Sequence, residues 1–155
     1  MAFTVSRDTI ENNAPLFIRD VLRTNLTDPL GTRNGSDWIV KSPVKNEEIS
    51  FPMVIIDKCD VDETEITFGG AVETTIRIGM MIWSAKSDAI KYRDQLGQEI
   101  KAILRDKTKS DGSSTMHAQG LGYRTSSTTL EDGYIKGFSE LIRIKAMDFV
   151  FIFMK

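Results

Sequence analysis

Reactive and stapling residues are scarce in this 155-residue chain, which holds one cysteine, Cys59, and one histidine, His117. A single thiol forms no intramolecular disulfide, and one cysteine with one histidine cannot complete a four-ligand zinc site. A Ser-His-Asp triad would need His117 as its base, and nothing beside it supplies a co-ligand or an orienting partner. Phosphate-binding glycine loops are missing as well. Gly69-Gly70 lacks the lysine and hydroxyl of a P-loop, and "QGLGYR" has no third glycine and no following helix. No apolar run reaches the roughly 18 residues of a spanning helix, and "MAFTVSRDTIENN" is polar where a secretory signal would be apolar. Charge of one sign is also lacking. A net charge of −2 and a pI near 5.5 give no overall pull toward nucleic acid or anionic membrane. The expectation is an intracellular, soluble protein with no cofactor and no membrane partner.

What is present is enough apolar sequence for one core. Hydrophobic residues make up 41% and charged residues 27%, ordinary values for a globular domain of this length. Ile10, Ala14, Phe17, Val21 and Leu22 recur at three- and four-residue intervals and predict a helix from about Ser6 or Asn13 to Leu26. Pro15 suits only a first turn, which favours Asn12 or Asn13 as the N-cap and leaves 6–12 as a separate turn. "DWIVKS", "EEISFPMVIID" (47–57), "DETEITFGG" (62–70) and "AVETTIRIGMMIW" (71–83) read as strands. Pro52 marks an edge or a bulge, and Gly69-Gly70 a hairpin turn. The strand from residue 71 starts half-exposed and ends apolar on both faces. A helix from about Ser87 to Asp106 follows, capped by Ser84 or Ser87, with Ala89, Arg93, Leu96, Ile100, Ile103 and Leu104 facing inward. Gly97 in its middle costs about 1 kcal/mol relative to alanine and implies a close packing contact. Two strands, 121–132 and 137–155, end the chain. The order α, β, β, β, β, α, β, β predicts a single α+β domain. Its antiparallel or mixed sheet of five to six strands would pack against two main helices, with flexible loops near 29–36 and 105–118.

Three stretches carry the functional possibilities. "DKCDVDETE" (57–65) clusters Asp57, Asp60, Asp62 and Glu63, oxygen donors of the kind that hold calcium or magnesium, although without EF-hand spacing. A solvated turn between two strands explains the cluster equally well. Tyr123 and Arg124 combine a stacking ring with a cation, as nucleic-acid contacts do, or simply mark a sheet edge. The closing run "DFVFIFMK" sets Phe149, Phe151 and Phe153 among further apolar residues, so it must be a central strand or an interface between subunits.

The run "ITFGGAVETTIRIGMMIWSAKSDAIKYRDQLGQEIKAIL", followed by a Gly/Ser loop and "GLGYRTSSTTLEDGYIKGFSELIRIKAM", resembles the tail terminator proteins of long-tailed phages and related archaeal viruses. These are also known as tail completion or tail-to-head joining proteins. In that family a strand runs into a helix through a short junction, and "WSAKSDAIKYRDQL" is similar to it, with Trp83, Ser84, Ser87 and Ala89 in the corresponding places. The likeness covers roughly residues 8–150, and the long C-terminal strand and the extended 105–118 loop depart from the family pattern. The resemblance implies a virion structural protein with no active site. It implies a homo-oligomer, a hexameric ring that caps the tail tube, stops its polymerisation and meets the head–tail connector. Its partners would be the tail tube protein and the connector, with genome DNA passing through the lumen without specific binding. Its place would be the neck of the virion, and the host cytoplasm during assembly. Within such a ring, Asp60, Asp62 and Glu63 become candidates for luminal or axial contacts, and Phe149, Phe151 and Phe153 for contacts between subunits. Another neck or connector component, a tail tube relative, and a small metal-dependent enzyme using the 57–65 carboxylates are the alternatives.

Overall fold

Period-two alternation in residues 71–83 becomes one long strand in the computed structural model, which describes residues 2–66, 69–135, 137 and 139–155. Along the chain run α1 (Ile10–Asn25), α2 (Gly35–Trp38), β1 (Ile39–Lys41), a 3-10 turn (Asn46–Glu48), β2 (Met53–Glu65), β3 (Val72–Ala85), α3 (Ala89–Arg105), β4 (Leu121–Gly133) and β5 (Ile142–Phe153). Among the described residues the strands form one mixed sheet in the order β1-β2-β3-β5-β4. Only the β1–β2 pair is parallel, and the other three pairs are antiparallel. The chain is a single α+β domain with two main helices.

Pairing register sorts the side chains onto two faces. Val54, Ile56, Ile76, Ile78, Met80, Ile82, Met147, Phe149, Phe151 and Phe153 share one face. That face carries both helices: α1 contacts β1, β2 and α3, while α3 contacts β3 and β5. The predicted inner stripe of α3 is buried as expected, from Ala89 to Leu104. Gly97 is where Lys145 of β5 lies against the helix. A Cβ there would come within 2.8 Å of the lysine Cδ and 2.9 Å of its Nζ. The lysine then reaches Asp94 at 3.3 Å, so the missing methyl makes room for a cation across a core-facing helix.

Several expectations need correction. α1 begins at Ile10, between the two expected starts at Ser6 and Asn13, with Thr9 and not Asn12 or Asn13 at the N-cap and Pro15 inside it. Asn13 acts within the helix instead of capping it: its N–H donates to the Thr9 carbonyl (2.7 Å) and its Nδ2 to the Thr4 carbonyl (2.8 Å). The carbonyl that Pro15 leaves unbonded belongs to exposed Glu11, where water can satisfy it. The expected strands 47–57 and 62–70 are one strand, β2, starting directly after Pro52, which has no N–H for a ladder. Thr67 and Phe68 of the expected 62–70 strand, and Phe138 of the expected 137–155 strand, lie outside the described residues.

Neither Ser84 nor Ser87 caps α3. Ser84 is fully buried on β3, and the N-cap is Asp88, which makes no side-chain cap bond. Lys86 and Asp88 both adopt left-handed backbone angles (φ 71° and 63°), and that pair of bends turns strand into helix within three residues.

The loops are more tied than their composition suggests. Arg33 Nη2 pairs with Asp28 Oδ1 at 2.7 Å, both side chains nearly buried, while Nη1 donates to the Ser50 carbonyl and the guanidinium lies 4.9 Å from the Trp38 ring centre. Burial alone pushes the Asp28 carboxyl up. The Arg33 hydrogen bonds and the N–H groups of Leu30 and Arg33 outweigh burial and hold it below its ordinary 3.8. In the 105–118 segment Met116 is fully buried, and Asn25 Nδ2 donates to the Ser110 carbonyl at 2.8 Å.

Candidate assembly surfaces

The acidic cluster lies within β2 and is not a turn. Its strand alternation divides it. Asp60 pairs with Arg77 and Asp62 with Thr75, on the face away from the helices, whereas Glu63 pairs with buried Thr74 on the helix face. Asp57 falls at the irregularity between Ile56 and Lys58. Two carboxylates on one face and a third on the other do not converge on a point, and among the described residues no group of three His, Cys, Asp or Glu is placed to hold a metal ion. Asp60, Asp62 and Glu63 are all exposed, so they remain available to a partner surface.

Phe149, Phe151 and Phe153 have the opposite fate. β5 lies between β3 and β4, and the three rings are 0%, 0% and 8% exposed within the chain's own core. As contacts between subunits they are therefore not presented by this surface. Of the two readings for "DFVFIFMK", the fold takes the central strand. Its second face, with Ile144, Ala146 and Ile152, is only half-buried and shares a side with Met81 and Trp83.

Tyr123 is also turned inward. Its ring centre lies 6.5 Å from Phe149 and 6.4 Å from Phe151, Arg105 stands 5.9 Å above it, and its hydroxyl is 3.0 Å from Ser126 Oγ. Arg124 instead projects over the helix-free face and pairs with Glu73 at 2.9 Å. The two neighbours thus do not act together as a stacking platform. Cys59 sits on the helix face of β2, and burial, Glu11 and Asp60 push its thiol up to about 11, which keeps it protonated and unreactive at neutral pH.

Composition did not bring out the edges of the sheet. β4 is a terminal strand of 13 residues, and among the described residues its one strand partner is β5. At the other end β1 pairs with Val54, Ile55 and Ile56 alone, so the outer edge of β2 from Lys58 to Glu65 carries no strand among the described residues. The signal in β4 was present in "RTSSTTLED", a β-prone run without proline or lysine, the usual edge guards. A further tie has no signal in local pattern: buried Gln119 accepts from the Val5 N–H (2.8 Å) while Lys155 donates to the Val5 carbonyl (3.0 Å). A comparison with protein-family models and with curated proteins finds no match for this chain.

Proposed function

We propose that this protein is a virion structural subunit of the tail terminator type. Copies of it form a ring, expected to be hexameric, that caps the tail tube and joins it to the head connector. The observation that carries the reading is the junction "WSAKSDAIKYRDQL", which passes from β3 to α3 within three residues. In this unit Trp83 is half-buried beside the sheet and Gly97 lets the helix close onto Lys145. The strand thus passes almost directly into the helix that covers it, as in the family's junction. Support also comes from the two uncovered sheet edges, because a closed ring needs two different complementary surfaces on each subunit.

Gold-labelled antibody against this chain, applied to intact virus particles, tests the reading. The expected result is label confined to one level between tube and head. Label distributed along the tube would make the chain a tube protein instead, and particles without label would end the virion reading.

A further inference from the structure

We propose that the chain associates head to tail through its sheet, the free edge of β4 hydrogen-bonding antiparallel to the Lys58–Glu65 edge of β2 in a second copy. The proposal deepens the ring-subunit reading and rests on it for closure into a ring. The contact itself rests on the two edges.

Strand direction makes the joint feasible. Three antiparallel steps, β2 to β3 to β5 to β4, leave β4 running opposite to β2. A second copy rotated about an axis along the strands keeps its β2 direction, so its β2 meets the first copy's β4 in the antiparallel sense. Each joint then continues the sheet without a break, and backbone groups that lack a strand partner gain one.

Charge disfavours a β2–β2 contact and suits the β2–β4 pairing. The β2 edge carries Asp60, Asp62, Glu63 and Glu65 and repels a second copy of itself. β4 has Arg124 near its start and Glu131 near its end. Antiparallel approach sets the acid-rich end of β2 toward Arg124 and Lys58 toward Glu131. The register that places Lys58 opposite Glu131 also places Asp60 opposite Thr129 and Asp62 opposite Ser127. All six lie on the helix-free face, the same face over which Arg124 reaches Glu73. A symmetric β4–β4 dimer would also bring Arg124 toward Glu131, but it would leave the β2 edge bare, and the cross-linking pattern separates the two.

The test uses full-length chains carrying Cys59→Ser to remove the native thiol. Asp60→Cys and Thr129→Cys are made separately, both at exposed positions, and circular dichroism checks that the fold is kept. Each protein alone, their mixture, and a chain carrying both substitutions are treated with a short bismaleimide at about millimolar protein. The expected result is a heterodimer in the mixture, little product from either protein alone, and a ladder of trimers and above from the double variant. Adding Arg124→Glu to the Thr129→Cys chain should cut the heterodimer yield several-fold. Dimers from Thr129→Cys alone would show the symmetric contact and overturn the proposal. An absent or statistically random product pattern in the mixture would overturn it too. A head-to-tail cross-linking pattern from a chain that labels no particle would leave the contact standing and remove the virion reading.

Discussion

β2 and β5 have similar lengths and lie one strand apart, yet their chemistry is reversed. From Lys58 onward β2 is exposed or half-exposed, with charged side chains and a free edge. β5 is flanked by β3 and β4 and buries its phenylalanines. Even within β2 the contrast holds, since Met53–Ile56 are at most 1% exposed beside β1 while Asp60 and Asp62 are open. The lesson is that residue identity and neighbouring strands agree on what is interior: the apolar strand is flanked on both sides, and the charged half-strand has a partner on one side among the described residues. The interior should then be intolerant and the margin permissive, with exceptions only where the margin is pinned.

The largest expected effect probes the interior directly. Phe151→Ala should cost about 3–5 kcal/mol in urea unfolding, because it removes a fully buried ring and leaves a cavity. A loss below about 1 kcal/mol would mean that β5 is not the centre of the core. Next comes the pinned margin. Asp28→Asn should cost about 1–3 kcal/mol, because the amide keeps an acceptor for Arg33 but removes the negative charge beside its nearly buried guanidinium. The folded-state pKa of Asp28 is depressed, so its stabilising contribution is complete above its ordinary 3.8 and is lost as pH falls through the lower folded value. Thermal melts of the wild type should therefore lose more stability below pH 4 than melts of Asp28→Asn. A parallel fall in both proteins would remove Asp28 from the account.

Gly97→Val should cost about 1 kcal/mol or less, since its Cβ meets only the flexible end of Lys145 and valine is the better helix former. A larger loss would show that the lysine does not move aside freely. The smallest effect belongs to the open half of β2. Asp60→Asn together with Asp62→Asn should alter stability by less than about 0.5 kcal/mol, as exposed surface substitutions do. A loss above 2 kcal/mol would erase the distinction between the two halves of the strand.

Much of the architecture could be read from pattern, because periodicity reports which face of an element is covered. α3 is the clearest case, its apolar stripe correct from Ala89 to Leu104 and its glycine correctly taken as a close contact. The Gly69-Gly70 hairpin between β2 and β3 is another. Local composition misled where it competed with long-range pairing. "DKCDVDETE" has the polarity of a turn, yet β3 supplies a partner for nearly every residue of it and draws it into a strand. Pro15 signals a helix start, but Thr9 and the Thr4 carbonyl hold the turn before it. Ser84 has the identity of a cap, and the two left-handed residues after it place the helix start beyond its reach.

The candidate site was legible only in part. The charge of Asp60 and Asp62 marks them in the sequence, and they lie together on an exposed face, whereas a period of two, which charge alone does not report, separates Glu63 from them. Phe149, Phe151 and Phe153 were picked out for their hydrophobicity, which a core strand and an interface share. Edges cannot be seen in a one-dimensional pattern at all, since a strand is an edge only by virtue of what does not lie beside it.

The sequence by itself determined the class of this protein: one α+β domain, two long helices, a hairpin and a closing strand pair, with too few cysteines and histidines for a four-ligand Cys/His zinc site. Each of these follows from local periodicity and from a count of reactive side chains. Only the tertiary structure decided the strand order, the burial of the C-terminal phenylalanines, the splitting of the acidic cluster and the two open edges. These depend on which segments meet across long stretches of chain, and that is set by the packing of all the apolar faces at once.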